Sequence, residues 1–554
     1  MASFKPALLH LIAHATRVGP ARRFEQACQD VKAAQTRHLR SLLAANAGTE
    51  YGRKYRFDKL STWEDFQAGV PVITATGLDP WVQRQMSGER NVLTAEAPVY
   101  YTRSTGSTGT PKHIPVTDGY RKEFQQTVHV ALYHLRKRFP RAFLGRALYF
   151  VGSRRMALAA DGNDVGTMSG FNYSELPSLV KAIYAWPARL FEVGDLKTRS
   201  FLALLYASVA DTSLIAGIFP APIVYLLRDL EEHAAALAQA LRAGRLPAWL
   251  QLTGSQREAF QRDLPANRSA ARRLDRAARA PVEEKVAEAW PSLRLVYCWT
   301  GATAGLYVPE LQRRLGPKVA VRDAIYAATE GWCSIPMGEE RPGGALAITS
   351  HVFEFVDEAG RSRGAWEVED GGVYRILVTN AAGLYRYDLQ DLVEVCGFHG
   401  RCPRIRFVRK SSAACNLVGE KLDERHVNLA VPEALEAISA EATFFTLAPS
   451  LGEVPGYVLL LEPRTQIDAA GWEQLRARTD AALGRVAADY GRLRSADHLA
   501  PLKIRPLPVG TYEQIRQAKV ADGSAEAQLK TAHLVSGPEA LPAAVRAHLA
   551  EADR

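Results

Sequence analysis

Between Leu293 and Phe398 the chain strings together LRLVYCWT, VAVRDAIYA, ALAITS, FEFVD, GVYRILVTN and LVEVCGF, short runs rich in β-branched and aromatic residues. Turn-forming segments separate them. Runs this short satisfy their backbone groups by pairing side by side, so their shortness and alternation predict a mixed sheet. Upstream the pattern is helical. Residues 1–48 place Leu39, Leu42 and Leu43 at near-helical spacing with Gly48 as a stop, and a short helix is expected around Trp63 to Gln67. An amphipathic helix follows from Gly119 to Phe139, then a buried strand from Ala147 to Gly152. A long helical insertion follows from about Leu179 to Ala289, much of which is expected to form the outer wall of the large domain. Helix and strand in this order give the α/β class, and 554 residues exceed one ordinary core.

Beyond Ala413 the pattern changes to a helix at 429–439, strands ATFFTLAP and GYVLLLEP, a helix at 472–490 and a strand LKIRPLP. That is a second, compact α/β unit. The boundary falls near Arg409-Lys410-Ser411-Ser412, giving a large N-terminal domain of residues 1–410 and a small C-terminal domain of residues 411–554.

Composition narrows the function classes. With 47% hydrophobic and 23% charged residues the chain reads as a soluble globular protein. Its longest apolar run, Leu214 to Leu227, is too short to span a bilayer and contains Pro220 and Pro222. At the N-terminus His10, His14 and Arg17 interrupt the apolar residues, which predicts an amphipathic first helix rather than a secretory signal. Six cysteines without a CxxC pair imply a reducing compartment and no structural zinc, so a cytoplasmic location is expected. The net charge of +10 gathers in arginine-rich helices such as NRSAARRLDRAARAP. Without interleaved stacking rings that segment reads as a solvated helix face, and neither nucleic acid nor membrane is expected as a partner.

The segment RSTGSTGTPKHIP, residues 103–115, concentrates two glycines, several hydroxyls and a lysine. Glycines let backbone N–H groups approach an anion, hydroxyls add donors and a lysine supplies charge, which suits a polyphosphate. It is not a Walker loop, because Pro111 precedes Lys112 and His113 follows it. Taken alone, the segment fits a plain polar loop as well as a phosphate site.

Ser104-Thr105-Gly106-Ser107-Thr108-Gly109-Thr110-Pro111-Lys112 resembles the signature loop of adenylate-forming enzymes. YAATEG at Tyr326 to Gly331 and LYRYDLQDLVEVCGF at Leu384 to Phe398 resemble that superfamily's second and third nucleotide motifs. Within it, TEYGRKYRFDKLSTWEDFQAGVPV, RSTGSTGTPKHIP, YRYDLQDLVEVCGFH and NLVGEKLDE are most similar to the GH3 family of acyl acid–amido synthetases. The resemblance runs from about residue 35 to about residue 535. It implies a large N-terminal adenylate-forming domain of the firefly luciferase type, with mixed sheets and helices, and a small mobile C-terminal α/β domain.

The resemblance also implies site residues. Ser104, Thr105, Gly106, Ser107, Thr108 and Gly109, with Lys112, would clamp the β- and γ-phosphates of ATP. Glu330 would hold Mg2+, Thr329 would contact the α-phosphate, and Tyr326 would lie against adenine, with Gly301 and Ala302 of WTGATAGLY lining it. Asp391 would bind both ribose hydroxyls, and Arg409 would reach the ribose or α-phosphate from the hinge. Lys530 would be the lysine that the C-terminal domain presents to the reacting carboxylate. Two positions depart from the family pattern. Gln390 replaces the glycine before the aspartate, which would be strained at positive φ, and Lys530 is followed by Thr531-Ala532-His533 rather than Thr-Pro-Arg.

The implied reaction uses ATP and Mg2+ to activate a carboxylic acid as an acyl adenylate, and an amino acid amine then takes the acyl group. Thioester formation with coenzyme A and a non-catalytic nucleotide- or acyl-ligand-binding role are the alternatives. Phe150, Met168 and Phe171 are candidates for lining an apolar acyl pocket.

Overall fold

The computed structural model describes residues 6–103, 112–410, 414–415, 417–418, 420, 422–450, 454–521, 532–535, 537 and 540–550. They divide into two compact units. The first holds the described residues up to Leu389 together with 393–407, and the second holds Gln390–Leu392 and the described residues from Val408 onward.

The first unit begins with helices α1 (Pro6–Ala27) and α2 (Val31–Asn46). They are two helices, not one, because Asp30 leaves the helical conformation and its carboxylate caps α2 by accepting from the Ala33 N–H at 3.0 Å. Helix α3 (Asp118–Arg138) starts on Thr117, whose hydroxyl accepts from the Tyr120 N–H. It buries Tyr120, Glu123, Phe124, Thr127, Val130, Ala131 and Leu135, a stripe at helical spacing that includes a carboxylate.

Two sheets organise this unit. Four parallel strands, Arg146–Tyr149, Thr212–Ala216, Leu295–Tyr297 and Ala320–Arg322, lie in that order. Their alternating residues face opposite cores: Leu148, Ile215 and Val296 pack into one cluster, and Ala147, Leu214 and Leu295 into the other, beside Leu9, Leu135 and Phe143. The second sheet has seven strands, in the order Ser334–Ile335, Gly344–Leu346, Cys402–Lys410, Tyr387–His399, Val373–Thr379, Val352–Val356 and Ser362–Gly364.

Two expectations are corrected here. The strand-like runs from Leu293 onward do not complete one mixed sheet but divide between these two. Leu179 to Ala289 is not simply a helical wall, because it supplies the strand Thr212–Ala216 to the interior of the parallel sheet. A short apolar run cannot be told from buried helix by periodicity. The break comes at Pro220, where the chain enters helix α4 (Ala221–Ala243), which ends on Gly244 at φ 61°. The arginine-rich segment is helix α5 (Arg268–Arg279), which turns Ala270, Ala271, Leu274 and Ala277 inward.

The second unit pairs Ala442–Ser450 with Gly456–Pro463 in antiparallel fashion and adds Lys503–Pro506 in parallel. Helices Glu424–Glu436 and Ala469–Val486 accompany these strands. Among the described residues no helix is long and apolar enough to cross a membrane, and all six cysteines are free thiols.

One buried ion pair ties the N-terminal segment to the seven-stranded sheet. Arg386 donates from Nε and Nη2 to the two oxygens of Glu354 at 2.9 and 3.0 Å, and from Nη1 to the carbonyls of Gln67 and Val70 at 2.6 and 2.8 Å. Glu354 also accepts from Gln67 Nε2 and Ser362 Oγ, so both charges are saturated with hydrogen bonds. Replacing Glu354 by Gln leaves the guanidinium uncompensated in the interior. Denaturant unfolding should show a loss of about 3–5 kcal/mol for E354Q; a loss below about 1 kcal/mol would mean the pair does not bear on folding.

Candidate active site

Lys112 and the motif Thr329-Glu330-Gly331 meet in the first unit. The strands Tyr100–Arg103 and His113–Val116 pair antiparallel, with Arg103 opposite His113, so Lys112 leaves its connection at the start of a strand. Ser104, Thr105, Gly106, Ser107, Thr108 and Gly109 lie outside the described residues. Downstream, Ala327–Ala328 pairs with Gly331–Trp332, which makes Thr329 and Glu330 the two tip residues of a hairpin. The ammonium of Lys112 stands 3.9 Å from Glu330 Oε1, and the Tyr387 hydroxyl donates to the same oxygen at 3.3 Å.

Backbone contacts hold the tip from several sides. Tyr120 of α3 donates its hydroxyl to the Thr329 carbonyl at 3.0 Å, and Asn380 donates Nδ2 to the Glu330 carbonyl at 2.8 Å. The Trp332 N–H donates to His351 Nε2 at 3.1 Å. A backbone amide can only donate, so Nε2 is the acceptor and the ring hydrogen sits on Nδ1, which faces Glu123 Oε2 at 3.2 Å. Glu123 is buried, and it also accepts from His38 Nε2 at 3.1 Å and from the Ala381 N–H at 3.1 Å. Burial would raise its pKa, but the bonds from His351 and His38 outweigh that and hold it below the usual glutamate value.

Neighbouring segments are pinned similarly. Half-buried Asp323 accepts from the Thr300 N–H and the Gly343 N–H, both at 2.8 Å, which fixes the segment that contains Gly301 and Ala302. Burial pushes the Asp323 carboxyl up, against those hydrogen bonds. Ala302 is exposed and has φ 48°, a left-handed conformation that alanine rarely adopts. Tyr326 places its ring 5.7 Å from that of Phe407, and its carbonyl accepts from the Cys333 N–H at 2.8 Å.

Asp391 and Arg409 belong to the second unit, and each stands beside a charged partner there. Lys410 Nζ lies 2.5 Å from Asp391 Oδ1, and Arg409 Nε lies 3.0 Å from Asp423 Oδ2. Gln390 has φ 55°, the positive value that a glycine would take without strain. Lys530 lies outside the described residues. Of the acyl-pocket candidates, Met168 and Phe171 are core residues, Phe171 stacking on Tyr100 at 4.4 Å, while half-buried Phe150 meets Trp186 edge-on at 5.4 Å.

The sequence reading overlooked Tyr120, Glu123, His351, Asn380, Tyr387 and Lys410. One signal was available: Glu123 sits three residues after Tyr120 and one before Phe124, inside the stripe that α3 buries. A carboxylate in such a stripe needs partners, and here they serve the hairpin.

Because the folded state lowers the Glu123 pKa, its contribution to stability is present above the unfolded value, about 4.3, and is lost as pH falls through the folded one. Wild type should therefore exceed E123Q by a constant margin of about 1–3 kcal/mol from roughly pH 5 to 8, closing at lower pH. Unfolding curves at a series of pH values measure this. A margin that widens on acidification would contradict the assigned ionisation.

Comparison with known proteins gives the family of the chain. The chain matches the GH3 family N-terminal domain over residues 20–321, the central domain over 344–410 and the C-terminal domain over 425–539. It is 25% identical to a jasmonoyl–L-amino acid synthetase of Nicotiana attenuata, covering 93% of each chain. It is 24% identical to an indole-3-acetic acid-amido synthetase of Arabidopsis thaliana, covering 92% of this chain and 93% of that one. The solved structure of the GH3.15 acyl acid amido synthetase shares the fold, with a TM-score of 0.85 at 22% identity over 95% of this chain and 96% of that one. The chain belongs to the GH3 family.

Proposed function

We propose that this protein is an adenylate-forming ligase that activates a carboxylic acid with ATP and joins the acyl group to an amino acid. The observation that carries the reading is the placement of Lys112, at the end of the glycine- and hydroxyl-bearing connection, against Glu330 at the tip of a fastened hairpin. An ammonium and a carboxylate side by side suit a triphosphate and its counter-cation. Among the described residues there is no cluster of three or more metal-ligating side chains. A single carboxylate oxygen donor nevertheless fits Mg2+, which binds through one or two carboxylates, phosphate oxygens and water. Glu330 would hold that ion, which when bound neutralises phosphate charge.

In the first half-reaction a carboxylate oxygen of the acid attacks the α-phosphorus, and the bond to pyrophosphate breaks. Lys112 and the donors of residues 104–109 would hold the departing charge, and Thr329 would position the α-phosphate. Gly301, Ala302 and Tyr326 would line adenine, while Asp391 and Arg409 would take up the ribose side. In the second half-reaction the amine nitrogen attacks the acyl carbon, the bond to AMP breaks and the nitrogen loses a proton. Residues 411–554 would act as a mobile domain that brings Lys530 to the reacting carboxylate.

The fastened tip matters because catalysis by positioned charge requires that the charges do not rearrange during the reaction. The hydrogen bonds of Tyr120, Asn380 and His351 meet that requirement. Acid-dependent ATP–pyrophosphate exchange tests the reading. K112M and E330Q should each lower kcat/KM for ATP by about 10²–10³-fold with unchanged circular dichroism. Exchange within a few-fold of wild type in both variants would remove the hairpin from the chemistry.

A further inference from the structure

Helix α1 turns Leu9, His10, Arg17, Ala21 and Phe24 inward. Arg17 is 9% exposed, and its Nε and Nη1 are buried without any hydrogen-bond partner. An arginine stays charged at neutral pH; here burial lowers its pKa to about 10, which leaves it protonated. A buried guanidinium with no counter-ion is costly, which makes the surroundings informative.

The charge of Arg17 is felt by Tyr184, by Arg136 and His129 of α3, and by His10 and His14 of its own helix. Among the described residues no carboxylate pairs with it. His14 Nδ1 and Arg136 Nη1 are likewise buried and unpartnered. The two helices are held in register around this point, with Gln126 Nε2 donating to the Pro20 carbonyl at 3.2 Å and His14 stacked on Tyr133 at 5.0 Å.

Tyr184 leads from this cluster to the parallel sheet. Its ring lies 6.0 Å from that of Tyr149 and 5.1 Å from that of Tyr173. Tyr149 ends the strand Arg146–Tyr149, and in such sheets ligands bind beyond the carboxyl ends of the strands. Among the described residues none hydrogen-bonds to the hydroxyls of Tyr149, Tyr173 or Tyr184, and all three rings are half-buried.

Helix α3 sets the scale between this cluster and the hairpin. Tyr120 and Phe124 touch the hairpin, the first at the Thr329 carbonyl and the second edge-on to Trp332 at 4.2 Å, whereas His129 further along is within reach of the Arg17 charge. At 1.5 Å per residue the separation along the helix is roughly 8–14 Å. That is the length of a modest organic acid.

We propose that the Arg17 cluster binds an oxyanion at the far end of the acid substrate, so that the preferred acids carry a second carboxylate or comparable anion about 10 Å from the carboxyl that is activated. The proposal rests on the acid-activating role given above to the hairpin. Arg17 supplies the charge, the phenols of Tyr149, Tyr173 and Tyr184 supply hydrogen-bond donors, and the tyrosine rings cover the apolar middle of the ligand.

The test compares a graded set of aliphatic and aromatic dicarboxylic acids with their monomethyl esters, on wild type, R17Q and R17K. Binding is followed by calorimetric titration without ATP, and turnover by pyrophosphate exchange. Wild type should bind the matching diacid about tenfold or more tightly than its ester, with R17Q losing the difference and R17K keeping part of it. Equal binding of diacids and esters by wild type, or an undiminished preference in R17Q, would overturn the proposal. So would inorganic phosphate raising the melting temperature of wild type but not R17Q without any diacid preference, since the anion would then be a separate ligand. Absence of exchange with every acid would count against the acid-activating role, while the titration would still decide the Arg17 site.

Discussion

The carboxylate of Glu123 is the point on which the site's geometry depends. It is buried on α3, and its two oxygens are shared among His351, His38 and the amide of Ala381, residues far apart in the chain. A buried charge in this setting has one low-energy arrangement, because losing any donor exposes the full cost of its desolvation. Through it His351 acquires a fixed tautomer, and the free nitrogen of that ring takes the amide of Trp332. The hairpin tip that carries Thr329 and Glu330 is thus set by a group that need never touch the substrate.

Buried charge is handled in two ways in this unit. Arg386 and Glu354 are saturated by one another and by backbone carbonyls, and they bind the N-terminal segment to the sheet. Arg17 has no such partners, although it is nearly as enclosed. The first pattern completes a fold, whereas the second is completed by a ligand. The difference is one of hydrogen-bond accounting, and it explains why arginines of similar burial carry different meanings.

Much of the fold was legible because shortness, alternation and turn residues are local properties. The helices at Trp63–Gly69 and Asp118–Arg138 and the strands of the C-terminal unit stand close to where periodicity puts them. Sheet membership was not legible, since apolar alternation does not say which strand is a neighbour, and the strand Thr212–Ala216 is hidden at the start of an apolar run that continues into helix. In the site, Glu330 and Lys112 stood out through motif chemistry and are close in space. Gln390, expected to be strained if its φ were positive, has φ 55°. Glu123 and His351 escaped notice because their roles depend on pairing between distant segments. Arg17 did so because a break in an apolar run reads as the polar side of a helix, whereas it lies on the side that α1 buries.

The most direct test of the central claim follows oxygen. With an acid labelled by heavy oxygen in its carboxyl group, attack on the α-phosphorus followed by aminolysis must leave one labelled oxygen in AMP and none in pyrophosphate. Mass spectrometry of the products reads this without any mutation. Label in AMP is the predicted result; ADP in place of AMP, with the label in released inorganic phosphate, would contradict acyl adenylate formation.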